Sequence, residues 1–148
     1  MEIEYGKATE SEMREIFGMA GVNRTEATGI QADNNKEEMI ASYVNSLEQG
    51  AYFLVARTKE ALIGWVLVDR SLDWFSHKEI GWISDVYVKQ EFRQKGVAKS
   101  LIEQSLVEFK HLGFDDVRLN VFSFNEKAIR LYEELGFKDV SKFMRVEI

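Results

Sequence analysis

Two places in the sequence carry residue types that a soluble core does not explain. The first is Asp85, a lone carboxylate inside the run Ile80, Trp82, Ile83, Val86, Tyr87 and Val88, whose β-branched and aromatic residues predict a strand. A charge there is a structural carboxylate bonded to a neighbouring loop, an attractor for a cationic substrate, or a base. The second is Arg93-Gln94-Lys95-Gly96-Val97-Ala98-Lys99, a basic loop that comes after the strand and opens a helix. The first turn of a helix has unpaired N–H groups and the positive end of the dipole, and Gly96 and Ala98 leave room for a phosphate against the main chain. Arg93, Lys95 and Lys99 add charge. Strand, basic loop and helix in this order make an anion site; an ordinary solvated turn is the plainer reading. The phosphate loops G-x-x-x-x-G-K-[ST] and G-x-G-x-x-G are absent, which weakens ATP and NAD as ligands.

Composition narrows the classes. A chain of 148 residues, 45% hydrophobic and 12% aromatic, matches the size of one domain with one sizeable core, so residues 1–148 are expected to form a single domain. There is no cysteine, which excludes disulfides, thiolate metal sites and cysteine nucleophiles together. His77 and His111 have no ligand-spaced partners, and no metal is expected. The start Met1-Glu2-Ile3-Glu4-Tyr5 lacks the basic and apolar runs of a secretory signal, and no apolar stretch approaches the ~20 residues of a membrane span; a soluble cytoplasmic protein is the expectation. The net charge of -6 is confined to the first third, where residues 1–50 hold 10 acidic against 4 basic side chains, while residues 51–148 hold 15 of each. That balance argues against a nucleic-acid partner, which needs a basic face. It suits a cationic substrate, or simply a solvated acidic helix face.

The elements that must position these residues emerge from periodicity. Ile3 and Tyr5 alternate like a short strand, and Thr9-Glu10-Ser11-Glu12 offers a capping box before Met13, Ile16 and Phe17. Residues 18–35 are rich in Gly, Thr, Asn and Asp and predict a mobile connection. A helix is expected over 36–49, strands over 51–57 and 61–69 as a hairpin, a strand over 80–88, and a helix of about four turns from Gly96 to His111. A strand over 117–122, a short helix over 125–135 and two short strands within 137–146 complete the chain. The pattern is an α/β fold with a mixed sheet of six or seven strands, mostly antiparallel, and about four helices on both faces.

With these elements in place the sequence resembles the GNAT superfamily of acyl-CoA-dependent N-acetyltransferases. Arg93-Gln94-Lys95-Gly96-Val97-Ala98 fits that family's R/Q-x-x-G-x-G/A signature after an apolar strand. About thirty residues on, Asn125 followed by Leu131-Tyr132-Glu133-Glu134-Leu135-Gly136-Phe137 fits its second landmark. The resemblance is strong over 80–137 and holds only in outline over 18–50. It implies acetyl-CoA as co-substrate and an amine as acceptor. By position, Val86, Tyr87 and Val88 would face the acetyl group and pantetheine through their backbone. The amides of Gln94, Lys95, Gly96, Val97, Ala98 and Lys99 would hold the pyrophosphate, with Arg93 at the head of the loop. Asn125 would bond the pantetheine arm, and Tyr132 would stand beside the thioester sulfur. Asn120 departs from the Glu that some protein N-terminal acetyltransferases of the family carry there, so acetylation of protein N-termini is not supported.

The chemistry this implies is direct attack by an amine. A lysine-like amine has a pKa of about 10.4 and must lose a proton before it attacks, and Asp85 is the candidate base. Backbone N–H groups of Val86 or Val88 can stabilise the oxygen that gains charge. Tyr132 is the candidate acid for the leaving thiolate, although a tyrosine between Leu131 and Leu135 is otherwise a core residue. Trp65, Trp74, Phe75 and Trp82 read as core before pocket, and Tyr43 and Asp33 as possible walls of an acceptor cleft. The acceptor is a small cationic amine, such as a polyamine, an aminoglycoside or an amino-acid derivative, or a lysine side chain. A non-catalytic acyl-CoA sensor and a nucleotide-binding protein are the competing classes. The terminal strands leave room for a homodimer.

Overall fold

Thr9 and Glu12 start the first helix as their spacing predicts. The Thr9 hydroxyl accepts from the Glu12 N–H at 3.1 Å and the Glu12 carboxylate accepts from the Thr9 N–H at 2.9 Å, a reciprocal capping box. The computed structural model describes residues 1–148. Along the chain run β1 (Glu4–Lys7), α1 (Glu10–Gly18), α2 (Ala20–Thr28), α3 (Asn35–Glu48), β2 (Tyr52–Arg57), β3 (Leu62–Leu72), β4 (Glu79–Val88), a 3-10 turn (Gln90–Phe92), α4 (Val97–His111), β5 (Val117–Arg118) and α5 (Glu126–Glu134). One five-stranded sheet is ordered β1-β2-β3-β4-β5, antiparallel except for the parallel pair β4-β5.

The helices cover both faces. Ile16, Ala20 and Tyr43 from α1, α2 and α3 pack on Phe53, Val55, Trp65, Leu67 and Tyr87 of one face. On the other, Leu101, Ile102 and Phe109 of α4 pack on Leu54, Val66, Val68, Ile83 and Val88, with Tyr132 and Leu135 of α5 beside them. At Gly81 a Cβ would lie 2.7 Å from Phe109 Cδ1, so only glycine lets α4 sit this close to the β4-β5 pairing. No helix is long and apolar enough to cross a membrane.

Four expectations need correction. The sheet has five strands, not six or seven, and there are five α-helices rather than about four. Residues 18–35 are not a loose connection, because α2 occupies half of them; beside the small Ala20 its anchor is polar, the buried Asn23, which an apolar periodicity cannot reveal. The strand expected over 117–122 pairs only at Val117 and Arg118. Residues 137–146 form no strand: Val140, Phe143, Met144 and Val146 are exposed, so their apolar spacing has no face to bury against. A dimer built on terminal strands therefore has no formed strand to rest on.

Two irregularities of β4 open the sheet and redirect its side chains. Leu67 pairs with Asp85 and Val68 with Ile83, so Ser84 is an extra residue on β4 with no partner, a β-bulge. Beyond Trp82 no strand pairs with the outer edge of β4, because β5 ends at Arg118. The pairing leaves a gap there between β4 and the segment after β5.

Candidate active site

Asp85 collects donors from three elements. Its Oδ2 accepts from Asn23 Nδ2 of α2 at 2.9 Å, from the Tyr43 hydroxyl of α3 at 2.6 Å and from Trp65 Nε1 of β3 at 2.9 Å. Asn23 Nδ2 also donates to the Tyr43 oxygen at 3.0 Å. The bulge makes this meeting possible. Side chains two apart on a regular strand share a face, yet Ile83 lies in the α4 cluster while Asp85 bonds into the opposite layer. Burial pushes the Asp85 pKa above the ordinary aspartate range, against the opposing pull of the Tyr43, Trp65 and Asn23 donors and of the Val86 N–H. Burial and the Asp85 charge also push the Tyr43 hydroxyl far up, so it remains a donor.

The loop after β4 presents main-chain donors. Gly96 is the N-cap of α4 with φ of 78° and no side chain caps that end; Gln94 has φ of 63°. None of the N–H groups of Gln94, Lys95, Gly96, Val97, Ala98 or Lys99 donates to a protein acceptor, and the first bonded amide of the helix is Ser100, to Gly96 O at 3.1 Å. Six consecutive free amides at a helix N-terminus are a chemistry that suits an anion. Lys95 and Lys99 are exposed and outside every ion pair. Arg93 is employed otherwise: its Nε donates to Val88 O at 2.7 Å and its Nη2 to Glu26 of α2 at 2.7 Å.

The open edge of β4 carries two residues out of three. The Lys89 N–H donates to Ile63 O of β3, so by alternation the main chain of Tyr87 also faces β3, where it pairs with Trp65. Val86 and Val88 face the gap in pairing. The main chain of Tyr87 lies on the β3 side, and its ring stacks on Trp65 at 5.0 Å. The Val88 carbonyl is taken by Arg93, and the Val86 and Val88 N–H groups point to the gap.

Helix α5 supplies the last two residues. Asn125 is its N-cap, its Oδ1 accepting from the Ala128 N–H at 3.3 Å, which leaves Nδ2 as a donor. Tyr132 lies two turns on, the same face of the helix, and packs edge-on against Phe137 at 5.7 Å. Its hydroxyl has no protein partner, and no buried side-chain oxygen or nitrogen lacks one, so the hydroxyl reaches open space. Burial and then the Asp85 charge raise its pKa. Trp65 is core, as expected, yet its N–H belongs to the site. Trp74 and Phe75 are exposed on the β3-β4 connection and stack only on each other. Asp33 is exposed and bonds to none of these groups. Asn23 is invisible to sequence reading, since nothing local marks a contact 62 residues away. No group of three or more His, Cys, Asp or Glu converges.

Comparison with known proteins gives a consistent neighbourhood. The sequence model of the Acetyltransferase (GNAT) family matches residues 13–137. An N-alpha-acetyltransferase of Saccharolobus solfataricus is 30% identical over 100 residues, 63% of this chain and 60% of that protein. A thialysine N-epsilon-acetyltransferase of Sus scrofa is 33% identical over 61 residues, 41% of this chain and 36% of that protein. The chain spans 60% or less of the length of these relatives. Among solved structures, a candidate acetyl transferase from Pyrococcus furiosus superposes with a TM-score of 0.82 and 25% identity, covering 99% of this chain and 100% of that one. An aminoglycoside N-acetyltransferase solved in complex with CoA shares the fold at a TM-score of 0.76 and 15% identity, covering 99% and 95% of the two chains.

Proposed function

The chain belongs to the GNAT acetyltransferase family, and from that premise we propose that it transfers an acetyl group from acetyl-CoA to a primary amine, small and cationic or a lysine side chain. The observation that carries this reading is a nest of free amides at the start of α4 that follows directly on the unpaired outer edge of β4. The nest suits a pyrophosphate: six N–H groups from Gln94 to Lys99 have no protein acceptor, and Lys95 and Lys99 supply charge. In this reading the Val86 and Val88 N–H groups and Asn125 Nδ2 bond the pantetheine arm and the acyl group. When bound, acetyl-CoA supplies an activated acyl group and a thiolate leaving group.

The protein's own groups then divide the proton work. Asp85 accepts a proton from the acceptor ammonium, directly or through water, and its raised pKa makes it a better base than an exposed aspartate. The Val86 and Val88 N–H groups donate to the carbonyl oxygen as the amine adds and negative charge grows there. Tyr132, kept protonated by burial and by the Asp85 charge, donates its hydroxyl proton to the departing sulfur. The nitrogen–carbon bond forms and the carbon–sulfur bond breaks; of the two protons the ammonium loses, one leaves through Asp85 and the other, released from nitrogen after it adds, returns to Tyr132 through solvent in place of the one given to sulfur.

The acceptor reading rests on Asp85 and on the acidic excess of the first 50 residues. A peptide α-amine is a second reading, favoured by the likeness to an N-alpha-acetyltransferase and opposed by Asn120. Thiol release from acetyl-CoA against polyamines, aminoglycosides, amino acids, lysine peptides and peptide N-termini tests both. Acceptor-dependent release that is lost in Tyr132→Phe supports the transferase; acetyl-CoA binding without release from any acceptor supports a sensor instead.

A further inference from the structure

Four carboxylates that pin elements of this fold are each paired with a cation: Glu12 with Arg57, Glu15 with Lys89, Glu26 with Arg93 and Asp73 with Arg118. Asp85 is pinned from three elements and paired with none. All three donors are neutral, and all three converge on Oδ2. Oδ1 accepts from no side chain, and because no buried side-chain oxygen lacks a partner it is not sealed from solvent; the Val86 main-chain N–H is the one further donor that favours the charged carboxylate.

Resting on the acyl-transfer reading above, we infer that Asn23, Tyr43 and Trp65 are positioning residues that lock the Asp85 carboxylate through Oδ2 and present Oδ1, without a protein countercharge, to the ammonium of the acceptor. The division of labour between the two oxygens is geometric. Three donors saturate Oδ2, and the Asn23-Tyr43 bond ties two of them to each other. A lysine or arginine in their place would hold the carboxylate equally still, but it would lower the pKa and compete with the cation to be bound. Neutral donors fix the anion and leave its field for the substrate.

The cradle also sets where Asp85 titrates, because each donor favours the charged form while burial favours the neutral one. The other titratable groups around it are Tyr43 of α3, Tyr87 of its own strand, Tyr132 of α5, Asp69 of β3, which accepts from Ser84 Oγ, and Glu26 of α2, which Arg93 neutralises. None is a cation facing Asp85.

The test uses the Trp65 indole N–H, which donates to Asp85 and reports its protonation without any need for turnover. Its resonance, assigned among the 3 tryptophans by Trp65→Phe, is followed against pH in the wild type, in Tyr43→Phe and in Asn23→Ala. In each variant the titration step is expected to move up by about one pH unit, the size of one lost hydrogen bond to an ionised acceptor. The acid limb of kcat/KM for the best amine moves with it, while KM for acetyl-CoA stays within about twofold. A step at the wild-type pH in both variants overturns the cradle, whether or not transfer is seen. A displaced step in a protein that acetylates nothing supports the cradle and overturns the transferase reading.

Discussion

Ile83 and Asp85 stand two residues apart on one strand and face opposite sides of the sheet. Ile83 packs with Leu101 and Phe109 beneath α4, and Asp85 bonds to Tyr43 and Asn23 beneath α2 and α3. Ser84, between them, is the unpaired residue of the bulge, and its hydroxyl donates to Asp69 at 2.8 Å. One extra residue therefore lets an apolar strand serve both cores and still aim a carboxylate into the polar cluster.

Deleting Ser84 restores the two-residue alternation and forces a choice. Either Asp85 turns into the apolar α4 face with its charge unpaired, or Ile83 leaves that face and opens a cavity. Each costs about 2–5 kcal/mol. Urea unfolding measures it, and a loss below about 1 kcal/mol would show that the bulge is not what separates the two side chains.

Asp85→Asn separates stability from activity. The wild-type pKa is raised in the folded state, so between the unfolded value and the folded one the native protein binds more protons. Stability therefore falls as pH rises through that window, and the deficit persists at pH 7. An asparagine carbonyl can keep the three donors satisfied without the charge. The variant is expected to have a higher Tm than the wild type at pH 7 and a turnover lower by about 10²-fold or more, with acetyl-CoA binding retained. Asp85→Leu has the opposite effect on stability, because it orphans the Asn23, Tyr43 and Trp65 donors at about 1–3 kcal/mol each. Thermal scans of the two variants at one pH decide it; equal Tm values would mean that the donors find other partners.

What the sequence discloses depends on the range of the interactions concerned. The capping box at Thr9, the strand over 80–88 and the loop into α4 are local patterns, and each is legible. Asp85 stands out because its neighbours are apolar, and Tyr132 and Asn125 because their spacing is specific. The cradle is hidden, since Tyr43 looks like a wall, Trp65 like core and Asn23 like loop until three elements meet. Helix α2 is hidden for the same reason: Asn23 and Glu26 tie its inner face to Asp85 and Arg93 through polar bonds, so its stripe is not apolar. The strands expected after residue 118 fail because pairing, not alternation, makes a strand.

Gly96 and Gln94 predict opposite responses to a change in Cβ. Both have positive φ, 78° and 63°, and nothing lies within 4 Å of a Cβ built on Gly96. Gly96→Ala therefore acts through the backbone alone, at about 1 kcal/mol, and tilts the free amides of the nest. Acetyl-CoA affinity is expected to fall about tenfold. Gln94→Gly relieves the same kind of strain, so stability should hold or rise by up to about 1 kcal/mol with affinity nearly unchanged. Calorimetric titration with CoA distinguishes them, and equal affinities would place the phosphate elsewhere.

Tyr132→Phe removes a hydroxyl that bonds to nothing in the protein, so its cost to folding is expected to stay within about 0.5 kcal/mol. The ring keeps its edge contact with Phe137 and its place beside α4. If the hydroxyl donates a proton to the leaving sulfur, kcat falls about 10²- to 10⁴-fold while acetyl-CoA affinity is kept. The wild-type rate should hold into alkaline solution, because burial first and the Asp85 charge second keep Tyr132 protonated beyond the ordinary tyrosine value. Asp85→Asn removes that second cause, so the alkaline fall of its residual rate should begin at lower pH than in the wild type. A pH profile of both proteins reads this directly: coincident alkaline limbs would disconnect the two groups, and a Phe variant of normal turnover would leave the thiolate to take its proton from water.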